Sequence, residues 1–340
     1  MFMRRVVHFG PIESKGGMSA VMEILSDDIN SKWKKSVIST HSERDFISKI
    51  ISWHKAKKSL LYLIKNDKID VAHIHVTHSL SWHRKATIMK ICSRNKIPHI
   101  IHIHSGKFDI FCSKYFGIMG KFVKKSLNNK FATCAVLEDR WLKDLEYWIP
   151  PNSIVINNPS KGNNNKKFDN LNLEKITILL LARDSAIKGH RFAIEIINSL
   201  ISKNVDARLM MTGILQKEIK NDLNGKIMGL GWISNEKVEH LIKNSDFLLL
   251  PSEFEGSSMS IIEAITNDLP CLVSPASFET LGVPELVLTL DSPVEWADKI
   301  ILLSDNERYM QIISKIRKQS ERFSKDEIND KWEKIYDIIK

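Results

Sequence analysis

Cysteine is scarce in this sequence: Cys92, Cys112, Cys134 and Cys271 are the four in 340 residues, and no two stand at Cys-x-x-Cys spacing. A disulfide scaffold needs dense cysteines and a cysteine zinc site needs close pairs, so both are excluded and a reducing compartment is expected. Long hydrophobic runs are missing too. Stretches such as Ile176–Ala182 fall far short of the ~20 residues that cross a bilayer. The opening MFMRRVVHFG turns directly into a strand-like run without the core of a signal peptide. The expectation is a cytoplasmic protein, soluble or peripheral. The first glycine loop lacks the GxGxxG dinucleotide fingerprint, and no HExxH accompanies the histidines. What remains, 43% hydrophobic and 26% charged residues, is ordinary globular composition, and the length suggests two domains.

The net charge of +10 is spread unevenly. Residues 1–150 hold 26 Lys and Arg against 13 Asp and Glu, a formal +13, whereas residues 151–340 hold 24 against 27, a formal −3. A basic half invites an anionic partner, such as nucleic acid, a phospholipid surface or an anionic substrate, unless it is only a solvated face. Nucleic acid is disfavoured, because neither a zinc-finger pattern nor an aromatic RNA-binding signature occurs. Two basic stretches stand out: Lys55, Lys57 and Lys58 ahead of Leu60, and Lys121, Lys124 and Lys125, which share one face at helical spacing. Trp53, Leu60 and Phe122 lie nearby as expected apolar anchors for an anionic membrane surface.

Apolar periodicity predicts strands at Arg4–Phe9, Val37–Thr40, Val71–Val76, His99–His104, Phe131–Leu137 and Ser153–Asn157. Helices are predicted at Met18–Ser26, Ile47–Lys65, Thr87–Asn95 and Arg140–Glu146. Ser160–Lys175, rich in Asn and Lys, reads as a linker. The pattern then restarts, with strands at Lys175–Ala182, Ala207–Thr212, Lys226–Leu230, Phe247–Pro251 and Cys271–Ser274. Helices are predicted at His190–Lys203, Ser234–Asn244 and Ser258–Asn267, and the chain is mostly helical from Pro293 on. Such alternation in both halves predicts two doubly wound α/β domains.

The segment richest in chemistry is Pro251–Ile265, PSEFEGSSMSIIEAI. It follows a strand and opens a helix, at the end of a parallel strand where open sheets bind ligands. Glu255 and Glu263 stand eight apart, and Gly256 lets the backbone approach a ligand. Ser257 and Ser258 present N–H groups near a helix start, a ready anion site. Against this, Ser260-x-x-Glu263 is a formal capping box in which Glu263 would merely cap the helix. In Leu179–His190, Arg183 and Lys188 lie between a buried strand and a helix. There a forked guanidinium and a compact ammonium can neutralise a diphosphate, or simply be solvated loop cations. Gly16-Gly17 precede the first helix, which suits close phosphate approach or a tight turn. Ten of the 12 histidines fall in residues 1–150, including His73-x-His75-x-x-His78 and His102-x-His104. On a strand, His-x-His puts both rings on one face, which a metal could use. No carboxylate cluster joins them, so packed histidines are expected, with His104 beside Ser105-Gly106 best placed to face a ligand.

Taken in order, these segments resemble the family 4 retaining glycosyltransferases of the GT-B fold. The likeness rests on Glu255-GSSMSII-Glu263 as that family's Glu-x7-Glu motif after Pro251-Ser252, and on Arg183 with Lys188-Gly189. It rests also on Gly16-Gly17, on His104 six residues after Pro98, and on Asn158-Pro159. It runs from about residue 5 to the end. The chain departs from the pattern at Asp268, where the family usually has glycine, at Ser258, where many members have proline, and in Ser277–Glu285, which is short of the usual glycines.

The resemblance implies two Rossmann-like domains facing across a cleft. Residues 1–158 would form the acceptor side and 159–324 the nucleotide-sugar side, with a helix at 325–340 packing back on the N-terminal domain. It implies a retaining, hexosyltransferase-type enzyme that uses a nucleotide-sugar, a UDP-sugar, as co-substrate. The acceptor would be lipid-linked or a polysaccharide, in cell-surface glycan synthesis of the O-antigen or capsule type, at the inner membrane face. Arg183 and Lys188 would hold the diphosphate together with Gly16, Gly17 and the N–H groups of Ser257, Ser258 and Met259 beside Gly256. Glu263 would bind the ribose hydroxyls, Glu255 the donor sugar, and His104 would sit by that sugar. His104, Glu255, Arg183 and Lys188 are then the groups nearest the reaction. Two cations and helix dipoles can stabilise a leaving diphosphate without a metal or other cofactor, and no Asp-x-Asp motif occurs. The competing readings are a non-catalytic sugar-nucleotide-binding homologue and a basic nucleic-acid-binding protein.

Overall fold

The computed structural model describes residues 4–12, 16–27, 31–41, 45–114, 118–162 and 175–339. The chain divides into two units, residues 1–159 with 325–340, and residues 160–324. Most of the expected linker, residues 163–174, lies outside the described residues.

The first unit is a six-stranded parallel sheet in the order β2-β1-β3-β4-β5-β6. Its strands are β1 (Arg4–Gly10), β2 (Trp33–Ser39), β3 (Val71–Val76), β4 (His99–Ile103), β5 (Ala132–Val136) and β6 (Ile154–Val155). The helices are α1 (Gly17–Leu25), α2 (Phe46–Lys65), α3 (Leu80–Arg94), α4 (Phe108–Ser113), α5 (Ile118–Leu127) and α6 (Asp139–Asp144). Asp45 starts α2 by accepting from the Ser48 N–H, the ordinary N-cap contact. Three expectations are corrected. β2 begins at Trp33, because Lys35 is a buried inward residue whose Nζ donates to Asn329 Oδ1 at 3.2 Å, so its charge hid the alternation. α3 begins at Leu80 rather than Thr87, and β6 is two residues long rather than five.

β1, β3 and β4 show how two-residue periodicity builds this sheet. His8 pairs with His73 and His75 with His102. Val7, Phe9, Ala72, Ile74, Val76, Ile101 and Ile103 therefore enter the core on one face, while His8, His73, His75, His102 and His104 line the other. Parallel sheets usually bury apolar residues on both faces. Here the second face is imidazole, covered by Trp332 and Tyr336, whose rings lie against His73.

The second unit is a five-stranded parallel sheet in the order β11-β10-β7-β8-β9. Its strands are β7 (Ile176–Leu180), β8 (Ala207–Thr212), β9 (Ile227–Gly231), β10 (Phe247–Leu250) and β11 (Cys271–Val273). β7 is buried throughout, as a central strand sandwiched between helices must be. The helices are α7 (His190–Ser202), α8 (Asn235–Lys243), α9 (Met259–Ile265), α10 (Phe278–Leu281), α11 (Pro293–Leu303) and α12 (Asn306–Ser320). One further helix, α13 (Lys325–Ile339), returns to the first unit.

Candidate functional site at the ends of β7 and β10

β7 and β10 are neighbours in the sheet, so the loops that leave their carboxyl ends meet. The Glu253 N–H donates to the Ile187 carbonyl at 2.9 Å. Gly189 is left-handed at φ 73°, and a Cβ there would stand 2.1 Å from the Pro251 carbonyl oxygen. Only glycine satisfies both the backbone conformation and that contact. On this base Lys188 Nζ donates to Glu255 Oε1 at 2.6 Å, with side chains 16% and 7% exposed. The Ser260 hydroxyl donates to the Leu181 carbonyl at 2.6 Å and pins the start of α9 to the end of β7. Arg183, on the same β7 loop, is exposed and forms no hydrogen bond or ion pair with a described residue.

The capping-box reading of Ser260 and Glu263 is corrected. The N-cap of α9 is Ser258, so Ser260 lies inside the first turn and its hydroxyl is committed to Leu181. Glu263 caps nothing. Its carboxylate makes no hydrogen bond with a described residue, and burial pushes it up to about 7. A half-buried carboxylate without a donor is costly unless something supplies one, and two hydroxyls of a ligand would. Ser257 Oγ is likewise buried, without a hydrogen-bond partner among the described residues. The N–H groups of Ser257, Ser258 and Met259 donate to no described residue, and Gly256 carries the chain past them. The arrangement can therefore present cations, N–H donors and two carboxylates at the ends of two adjacent strands.

In the first unit, Gly16 is the N-cap of α1 at φ 137°, a conformation glycine alone adopts readily, and Gly17 is the first helical residue. His104 follows β4 and is half-buried. Burial, with Lys85 nearby, pulls His104 down to about 3, and burial, with Lys35 nearby, does the same to His8. Burial, with neighbouring imidazoles, holds His73, His75 and His102 well below their ordinary value. All five are therefore neutral. They form two hydrogen-bonded chains. In one, His8 Nδ1 meets His75 Nε2 at 3.1 Å, and His75 Nδ1 meets His104 Nε2 at 2.8 Å. In the other, Tyr336 OH meets His73 Nδ1 at 2.7 Å, and His73 Nε2 meets His102 Nδ1 at 3.0 Å.

Sequence reasoning missed His8 and Lys85. His8 is a lone histidine in an apolar run, and its place in the cluster depends on pairing with β3. Lys85 is 1% exposed in α3, where Nζ donates to Ser81 Oγ at 2.8 Å, and burial, with Arg84 nearby, pulls it down to about 7. A lysine in mid-helix gives no sign of burial.

Two doubly wound α/β units with loops of this kind at their strand ends are the architecture of GT-B glycosyltransferases. A glycosyltransferase from Rickettsia africae ESF-5 has the same fold, with TM-score 0.71 and 17% identity over 99% of this chain and 98% of that one. Residues 175–306, within the second unit, match the family model described as Glycosyl transferases group 1. The UDP-Gal:alpha-D-GlcNAc-diphosphoundecaprenol alpha-1,3-galactosyltransferase of Escherichia coli is 24% identical over 246 residues. That alignment takes in 65% of this chain and spans 61% of the relative's length. The pneumococcal O-GlcNAc transferase GtfA, solved with UDP and GlcNAc, shares the fold with TM-score 0.61 and 13% identity over 83% of this chain and 59% of its own.

Proposed function

We propose that this chain is a family 4 glycosyltransferase that moves a sugar, with retention, from a UDP-sugar to a lipid-linked or polysaccharide acceptor. The observation that carries the reading is the loop pair after β7 and β10, where Lys188 and Glu255 are joined and the Glu263 carboxylate has no donor of its own. Arg183 and Lys188 neutralise the donor's diphosphate as it leaves. The N–H groups from Ser257 to Met259 contribute hydrogen bonds to it. Glu263 accepts from both ribose hydroxyls, and Glu255 binds the donor sugar. Gly16 and Gly17 are assigned to phosphate approach and His104 to the sugar on the resemblance alone. A UDP donor is favoured by the names of the E. coli relative and of the GtfA complex, and a lipid-diphosphate acceptor by the former.

The direct experiment is a thermal-shift screen with UDP-, GDP-, ADP- and dTDP-sugars, followed by a turnover assay on a diphosphate-lipid acceptor. A ligand at 100 times its Kd adds ~2.7 kcal/mol of stability, so a UDP-sugar should raise the melting temperature most. No shift with any of them sinks the proposal. A shift without turnover on any acceptor supports the non-catalytic homologue. Transfer should persist when Mg2+ and Mn2+ are omitted.

Docking at the inner membrane face is part of the same proposal. Among the described residues no helix is long and apolar enough to cross a membrane. The expected anchors need correction: Leu60 is fully buried, and Trp53 is half-buried with its Nε1 donating to the Arg84 carbonyl. The apolar residues exposed on α2 are instead Ile47, Ile50, Ile51, Leu61 and Tyr62, and on α5 Phe122 at 62%. With Lys55, Lys58, Lys121 and Lys125 also exposed, these faces combine charge with apolar area, as interfacial helices do.

A further inference from the structure

We propose that His75, His102 and His104 form a three-imidazole site for a d-block cation of the Zn2+ type. One ring nitrogen from each lies within 4.8 Å of the others. His75 Nδ1 and His104 Nε2 already face one another at 2.8 Å. His102 uses Nδ1 toward His73, which leaves Nε2, buried and without a partner, as its ligating atom. Opening the 2.8 Å pair to the ~3.3 Å expected between tetrahedral ligands at ~2.0–2.1 Å from zinc needs only small ring rotations.

The remaining nitrogens make the assignment specific. A ligating imidazole is held by a hydrogen bond from its other N–H. With its proton on Nε2, His75 donates to His8 Nδ1. With its proton on Nδ1, His102 donates to His73 Nε2, and His73 in turn donates from Nδ1 to Tyr336 OH. His104 carries its proton on Nδ1. Without the cation, His104 Nε2–H donates to His75 Nδ1; on binding that proton shifts to His104 Nδ1, so every ring stays neutral, three lone pairs face one point, and no net proton is lost. A second group of three, His8, His73 and His75, is equally compact, but both nitrogens of His73 are held by partners outside that group, Tyr336 and His102.

Imidazole nitrogen selects Zn2+, Co2+, Ni2+ or Cu2+ over the oxygen-seeking Mg2+ and Ca2+. Three protein ligands leave a fourth position open. No carboxylate belongs to the group, and Lys85 lies near His104, so the fourth position suits an anion. His104, half-buried at the end of its strand, is the point of entry. The site does not depend on the transferase reading.

The test is a Co2+ titration of the full, tag-free chain after chelator treatment and removal of the chelator. One equivalent should bind with visible ligand-field bands, and Zn2+ should abolish them. His102→Gln and His104→Ala should each weaken binding at least ~10-fold. If His102→Gln does not fold, His104→Ala carries the test, because that ring lies at the strand end. His54→Ala and His240→Ala, both on exposed helix surface, should change nothing. Wild-type protein without ligand-field bands, or His104→Ala with undiminished Co2+ affinity, overturns the site.

Discussion

The Lys188 ammonium and the Glu255 carboxylate lie 2.6 Å apart although 67 positions separate them in the chain. The cation proposed for a diphosphate and the carboxylate proposed for a sugar are thus delivered as one unit. Removing either takes a charged partner from the other, which is largely buried, and that costs stability.

Arg183 is therefore the cleaner probe of the proposed phosphate clamp, since it is exposed and bonds to no described residue. Arg183→Ala should keep the melting temperature and lower kcat by ~10²–10³-fold, the usual effect of losing one donor to a developing anion. Lys188→Ala should lose both turnover and stability. Near-normal transfer by Arg183→Ala would remove it from the reaction.

On the proposed role, Glu263 trades stability for binding. Its carboxyl sits at about 7 in the folded protein against 4.5 without burial. Below 4.5 the group is neutral in both states and its contribution to stability is fully present. As pH rises through 7 the folded protein is forced to ionise it, and that contribution is lost, by about 3 kcal/mol. Glu263→Gln should thus be more stable than wild type at pH 8, with the gap closing by pH 4.5, and should bind the nucleotide more weakly. Unchanged donor Kd in the variant would end the ribose assignment.

The histidine face makes the first unit acid-labile. His8 and His104 sit at about 3, and their three neighbours are also well below the ordinary 6.5. The unfolded chain takes up protons below 6.5 while the folded unit does not, so stability is full above 6.5 and falls as pH drops toward 3. Each such histidine contributes up to about 1.4 kcal/mol per pH unit in that window. Chemical denaturation followed by near-ultraviolet circular dichroism at pH 7.5 and 5.5 should show a pronounced loss. Equal midpoints would mean that the cluster is hydrated and chargeable.

Asp268 stands at φ 59°, a left-handed position after α9 where glycine is the unstrained choice. It is fully buried, and both carboxylate oxygens accept from Arg317, each at 2.8 Å. The departure from the family's glycine thus has a partner on α12. Arg317→Met should cost ~3–5 kcal/mol by stranding the charge, and adding Asp268→Gly should recover most of it. If Arg317→Met unfolds at the wild-type denaturant midpoint, the pair is not structural.

Membrane docking is checked by co-sedimentation. Wild-type chain should pellet with anionic vesicles at low salt, release as salt rises, and ignore neutral vesicles. Lys121→Glu with Lys125→Glu should weaken pelleting. Protein that stays in the supernatant with anionic vesicles would leave transfer intact as a reading but remove this surface.

The strand–helix alternation was legible because it is local: β3, β7 and β8 follow apolar runs bounded by turns. β2 was truncated by buried Lys35, and α3 by the polar residues that open it. The residues that carry the candidate site were visible as types and spacings. Their contacts were not, because Lys188 meets Glu255 and His8 meets His75 only through strands that pair far apart in sequence. The frame of α9 turned on one position: with Ser258 as cap, Glu263 becomes free for a ligand.

The packing of Gly189 on Pro251 has a consequence for how the protein acquires activity. Because the two loops belong to strands joined only when β10 docks on β7, a large closure must be complete before the proposed donor contacts can form. Long closures raise the entropic barrier to folding and slow it. During refolding, gain of nucleotide binding should lag behind the return of helical signal, so that donor affinity serves as a clock for the last step of assembly in the second unit.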